Sequence, residues 1–218
     1  MSEAASKGRF IAFEGGEGAG KSTQARMLAG ALERLGLEVD VTREPGGTPG
    51  AEAIRKLLLD PPLDTAWGPN AEALLFAAAR SDHVAQRIRP ALEKGAWVIC
   101  DRFVDSSRAY QGGAGGLGDD AITSLHAFGS AALRPDLTIL LTVDEYAAAN
   151  RLQQRDGGET DAIGGRSAVY HASVAAAFRA LADRDPDGFA VIDGDGLPEE
   201  VHARILEAID SRLGTPSA

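Results

Sequence analysis

From position 15 the chain reads Gly15, Gly16, Glu17, Gly18, Ala19, Gly20, Lys21, Ser22, four glycines ahead of a lysine and a hydroxyl. Glycines at this density let a backbone curl until successive N–H groups point inward, which is how a loop holds phosphate oxygens. A helix beginning at Lys21 would add its positive end to the same anion. Lys21 has the reach and charge for terminal phosphates, and the Ser22 hydroxyl is a hard oxygen donor suited to magnesium. ATP with Mg2+ is the expected ligand, but such loops serve switches, motors and transferases alike. The loop describes a phosphate donor and leaves the acceptor open.

Two other turns carry chemistry of the same kind. Asp101 and Arg102 follow an apolar run at 97–100, placing a carboxylate for magnesium beside a guanidinium fork for phosphate. Arg43 follows an alternating apolar and polar stretch at 37–42. Lys21 and two arginines exceed what ATP alone requires, so a second phosphorylated substrate is expected. Phe76 and Arg80 stand four residues apart in an alanine-rich helical stretch, hence on one face. An aromatic face and a guanidinium suit a nucleobase and its carbonyl edge, although Phe76 alone also fits an ordinary core position.

These groups need a scaffold that brings them together. Residues 9–14, 37–42, 97–100, 136–143 and 189–192 read as strands. Between them fall helical patterns at 21–35, 51–59, 70–94, 145–155, 167–183 and 198–213, with Pro90 expected to kink or divide the third. Residues 112–118 read as a glycine-rich loop, Asp119 or Asp120 as the cap of a further helix, and 156–166 as a mobile polar segment. Strands alternating with helices imply an α/β fold of the P-loop NTP hydrolase-like, three-layer kind, with a five-stranded parallel sheet. Right-handed crossovers then bring the loops after the first three strands to one sheet edge, where open α/β folds bind ligands. Residues 1–8 read as a flexible tail and 9–214 as one domain.

Composition limits the partners. A formal charge of −10 over 218 residues argues against a nucleic-acid-coating protein. No apolar run is long enough for a membrane span. His83, His126, His171 and His202 lack metal-ligand spacing, and the single cysteine, Cys100, suits a reducing cytoplasm.

Residues 99–111 (Ile-Cys-Asp-Arg-Phe-Val-Asp-Ser-Ser-Arg-Ala-Tyr-Gln), 42–48 (Thr-Arg-Glu-Pro-Gly-Gly-Thr) and 76–80 (Phe-Ala-Ala-Ala-Arg) resemble the signatures of bacterial thymidylate kinases. The resemblance runs from about residue 10 to 213 and weakens after Leu141. It implies a nucleoside monophosphate kinase domain that converts ATP and dTMP to ADP and dTDP as a cytoplasmic homodimer. By it, Gly15, Gly16, Glu17, Gly18, Ala19, Gly20, Lys21, Ser22 and Thr23 bind ATP, with magnesium held by Ser22, Asp101 and Glu17. Phe76 stacks on thymine, Arg80 bonds the base edge, and Pro45, Ser106, Ser107 and Gln111 line the pocket. Arg43 and Arg102 hold the monophosphate, Tyr110 closes against the sugar, and Glu17 touches the 3′-hydroxyl or the metal. Family members with glycine at position 18 supply a transition-state arginine from a mobile lid, here about 151–166. Where many relatives carry Asp-Arg-Ile-Glu, this chain has Asp161, Ala162, Ile163 and Gly164. Arg155 is therefore the first candidate for that arginine, with Arg151 and Arg166 behind it. The catalytic set is Glu17, Lys21, Asp101, Arg102 and Arg155. A kinase for another nucleoside or nucleotide on this fold, or a non-enzymatic ATP switch, remains the alternative.

Overall fold

In a computed structural model describing residues 8–62, 66–156 and 162–214, five strands form one parallel sheet in the order β2-β3-β1-β4-β5. They are β1 (Phe10–Gly15), β2 (Val39–Arg43), β3 (Trp97–Asp101), β4 (Leu137–Thr142) and β5 (Phe189–Asp193). The helices are α1 (Lys21–Arg34), α2 (Pro49–Leu59), α3 (Pro69–His83), α4 (Arg89–Glu93), α5 (Val104–Ser107), α6 (Asp119–Ser130), α7 (Glu145–Asp156), α8 (Ala168–Arg184) and α9 (Pro198–Leu213). The side chains of Glu145 and of residues 154–156 lie outside the described part.

Period-two alternation splits each central strand between two apolar layers. Ile11, Phe13, Ile99, Leu137 and Ile139 pack with Leu28 and Leu32 of α1 and with Ile205 and Ile209 of α9. Phe10, Ala12, Val98 and Cys100 face the other way, onto Val84, Ile88 and Phe103. On that same side Leu140 and Phe189 meet Val174, Phe178 and Leu181 of α8. The sheet is thus covered on both faces. Among the described residues no helix is long and apolar enough to cross a membrane.

Local chemistry explains where the structure departs from the sequence reading. Pro90 divides the expected long helix by way of a π-turn at Val84–Ile88, in which the Arg89 N–H bonds to the Val84 carbonyl. Proline has no N–H for the residue four back, and the wider turn accommodates that loss. The glycine-rich stretch is not a loop from 112: α5 continues as a π-helix, Arg108–Ala114, and only then turns. Its glycines serve close packing instead, since a Cβ on Gly113 would lie 2.7 Å from the Cβ of Ala177 on α8. Neither Asp119 nor Asp120 caps α6. Gly118 does, while the Asp119 carboxylate accepts from Arg108 at 2.7 and 2.8 Å. Gly8, expected in the tail, is buried against the Leu92 and Ala96 carbonyls, and residues 1–7 of that tail lie outside the described residues.

Candidate active site

Parallel register puts the functional loops side by side. Arg43 pairs with Asp101, Asp101 pairs with Phe13, and Gly15 pairs with Leu141. A cleft of about 740 Å3 opens at this edge. The predicted residues lining it are Glu17, Gly18, Gly20, Lys21, Ser22, Thr23, Arg43, Pro45, Phe76, Asp101, Arg102, Ser106, Ser107, Tyr110, Gln111 and Arg151.

On one side lies the glycine loop. Gly20, with φ 92°, leads directly into α1. Lys21 is buried, and its Nζ donates to the carbonyls of Gly15 at 3.2 Å and Gly16 at 2.6 Å. Burial, reinforced by the Arg102 charge, pulls its ammonium down to about 8. The Ser22 hydroxyl donates to the Asp101 carboxylate. This pair of hard oxygens fits a magnesium ion that reaches the loop with its phosphates. Among the described residues no cluster of three or more acidic, histidine or cysteine side chains could hold a metal by itself.

Arg102 stands between the two halves of the cleft. Its backbone is left-handed (φ 70°), an unusual state for a side-chain-bearing residue. Its N–H extends the ladder to the Phe13 carbonyl at 2.9 Å. From there the guanidinium donates to the Gly15 carbonyl and Ser106 Oγ, both at 3.1 Å, and to Glu17 at 2.6 Å, and lies over the Tyr110 ring. Glu17 is thus turned toward Arg102.

The other side of the cleft is built on α3 and the π-helix. Phe76 is half-buried and lines the cleft, so it is not a core residue. Arg80 is 3% exposed and is not part of the cleft wall. It donates to Glu44 at 2.7 Å and to Ser107 Oγ at 2.9 Å, and both partners are wall residues. Because Ser107 Oγ accepts from Arg80, its own proton is left for another partner. Gln111 donates from Nε2 to Glu72 at 2.8 Å, and Tyr110, buried under α8, has its phenol pushed up to about 12 by that burial. Arg43 is half exposed and bonded to Glu52 at 3.1 Å, so only its position in the wall matches the expectation so far.

Sequence reasoning passed over the residues that hold these groups in place. Glu14, fully buried, accepts from the N–H groups of Phe103 at 2.8 Å and Ser106 at 3.0 Å, and from Ser106 Oγ at 2.6 Å. Burial, helped by Asp105, raises its carboxyl to about 7. Glu44 links Arg80 to buried His83, whose other ring nitrogen meets Thr42 Oγ1 at 2.7 Å. Glu72 also accepts from Arg166. The readable signal was a lone carboxylate at an apolar strand end for Glu14, and an acidic residue in an alanine-rich helix for Glu72.

The lid candidates separate. Arg151 lines the cleft, its Nη1 lies 3.9 Å from where a Cβ on Gly20 would stand, and its Nη2 bonds the Gly194 carbonyl at 3.0 Å. Arg166 is instead tied to Glu72 and, at 2.5 Å, to the Tyr170 hydroxyl. The Arg155 side chain and residues 157–161 of the expected lid lie outside the described part. Gly18 touches α7 so closely that a Cβ there would stand 2.5 Å from the Ala148 carbonyl oxygen.

The family model for thymidylate kinase matches residues 13–205. A thymidylate kinase of Rhizorhabdus wittichii is 55% identical over 206 residues, covering 94% of this chain and 99% of its own. One from Rhodopseudomonas palustris is 48% identical over 212 residues, covering 97% and 92%. Among solved structures, the thymidylate kinase of Ehrlichia chaffeensis superposes with a TM-score of 0.72 at 31% identity, covering 93% of this chain and 98% of that one. With the glycine loop, the Asp101-Arg102 turn and the cleft that they share at one sheet edge, these likenesses agree: the chain belongs to the thymidylate kinase family.

Proposed function

We propose that this chain phosphorylates dTMP to dTDP by direct in-line transfer of the ATP γ-phosphoryl group, each substrate held by its own half of the cleft. The observation that carries this reading is the position of Arg102. It is bonded to the phosphate loop through Gly15 and to the acceptor pocket through Ser106, so one guanidinium borders both phosphate sites. Lys21 and the loop N–H groups hold the ATP phosphates, with Thr23 beside them. Ser22 and Asp101 would hold magnesium, with Glu17 near, and that ion would offset negative charge on the phosphates. Arg43 and Arg102 take the dTMP phosphate, a role suited to guanidinium forks. Phe76 offers its face to the base, Pro45 and Ser106 border the pocket, Tyr110 packs against the sugar, and Ser107, held by Arg80 from behind the wall, supplies a donor for a base carbonyl.

Little covalent work falls to the protein. The acceptor oxygen is already anionic at neutral pH, so no strong general base is needed, and placement and charge compensation carry the rate. An arginine from α7 completes the charge: Arg151 borders the phosphate loop, and Arg155 remains the candidate that the sequence put first. A homodimer through α3 and α6 would cover Phe128, 95% exposed, and Leu74, 57% exposed, on helices that pack together. A cytoplasmic setting suits the buried free thiol of Cys100.

ADP release measured with and without each nucleoside monophosphate tests the reading. Release that depends on the acceptor and is fastest with dTMP supports it. Acceptor-independent release, or preference for another base, refutes it.

A further inference from the structure

The buried polar chain beside the acceptor pocket is not part of the phosphate chemistry. Glu72, on α3, accepts from Gln111 Nε2 at 2.8 Å and from Arg166, and Arg166 continues to the Tyr170 hydroxyl, which donates to the Tyr110 carbonyl at 3.0 Å. Arg166 also lies over the Tyr170 ring, 4.7 Å from its centroid. Gln111 is 4% exposed yet borders the cleft, whereas Glu72 does not. The wall residue that Glu72 bonds directly is Gln111.

A glutamine amide presents a donor at one corner and an acceptor at the other, and which one faces a ligand depends on what holds the opposite corner. A carboxylate accepts and does not donate, so the Gln111 corner beside Glu72 must be the NH2 group. The carbonyl Oε1 is then the amide's acceptor left for the cleft, beside the second N–H of the NH2 group. We propose that Glu72 is a positioning residue for base recognition, fixing Gln111 as a hydrogen-bond acceptor that selects bases bearing an imide N–H, with Arg166 pinning Glu72 in place. Thymine and uracil carry that N–H at ring position 3. Cytosine carries a lone pair there, which would face the Gln111 oxygen unpaired, a mismatch that buried sites reject strongly. The Ser107 hydroxyl, whose Oγ accepts from Arg80 and whose proton is left over, is a donor on the same wall that would suit a carbonyl at the neighbouring ring position. This inference rests on the reading of dTMP as acceptor.

Glu72→Gln keeps the shape but offers Gln111 either a donor or an acceptor, which frees the Gln111 amide to turn. The expected result is a fall of about tenfold or more in the ratio of kcat/KM for dTMP over dCMP. The change should lie mainly in KM for the monophosphate, with KM for ATP within about twofold. In a Gln111→Ala background the same substitution should leave that ratio within about twofold, because Glu72 then has no amide to orient. Arg166→Ala should move the ratio in the same direction and less far. An unchanged ratio in Glu72→Gln protein that still binds ATP normally overturns the proposal. So does an equal effect in both backgrounds, which would mark Glu72 as merely structural. A wild-type enzyme with no preference for dTMP refutes the substrate reading itself, a different failure from either of these.

Discussion

Replacing Glu14 with glutamine should flatten part of the pH dependence of stability. The Glu14 carboxyl is 0% exposed, and burial, then Asp105, raises it from the ordinary 4.5 to about 7. Between these values the folded protein holds a proton that the unfolded chain has lost. Stability from this group is therefore full below pH 4.5 and declines as pH rises toward and through about 7. Integrating from pH 5 to pH 8 gives a loss on the order of 2 kcal/mol for this one group. Glutamine is uncharged across the range and can still accept from the N–H groups of Phe103 and Ser106. Chemical denaturation at pH 5, 6, 7 and 8 should thus show the wild type losing about 2 kcal/mol more than Glu14→Gln over the interval. In thermal melts the difference is roughly 4–8 °C for a chain of this length. Parallel pH profiles for the two proteins would refute the reasoning, because they would mean that Glu14 carries its charge equally well inside and outside the fold.

Other perturbations follow from the same geometry. Arg151→Ala should lower kcat by about 100-fold or more while KM for ATP changes only a few-fold, as steady-state kinetics would show. Gly18→Ala sets a side chain on a backbone with φ 72°, 2.5 Å from the Ala148 carbonyl oxygen, so α7 must move off the loop. Its kcat should fall at least about tenfold with KM for dTMP little changed, given how steeply rate depends on placement. Ser22→Ala and Asp101→Asn should each raise the magnesium concentration for half-maximal rate by about tenfold or more at fixed ATP, seen by titration with the metal.

What the sequence revealed depended on how local each constraint was. The phosphate loop is legible because its glycines, lysine and serine act within eight consecutive positions, and the turn after β3 is legible because Asp101 and Arg102 are adjacent. Strand positions followed from apolar runs bounded by glycine and charge. The partners of Arg80 were not legible. Glu44 and Ser107 lie 36 and 27 residues away, and only the meeting of β2, α3 and α5 brings them together. The glycines at 112 and 113 misled for a physical reason: their usual meaning is a turn, but here absent side chains admit a neighbouring helix. The partner of Arg166 was not legible either, since Glu72 lies 94 residues away.

The π-helix and α8 interlock along one seam. At Gly113 the two helices approach until only a hydrogen separates backbone from Ala177, and Tyr170 at the near end of α8 grips the Tyr110 carbonyl. Parts that interlock so tightly shift as one body rather than sliding past each other. A displacement of α8 would therefore carry Tyr110 and Gln111 with it. By thermodynamic reciprocity, a ligand that steadied Tyr110 and Gln111 would in turn steady α8.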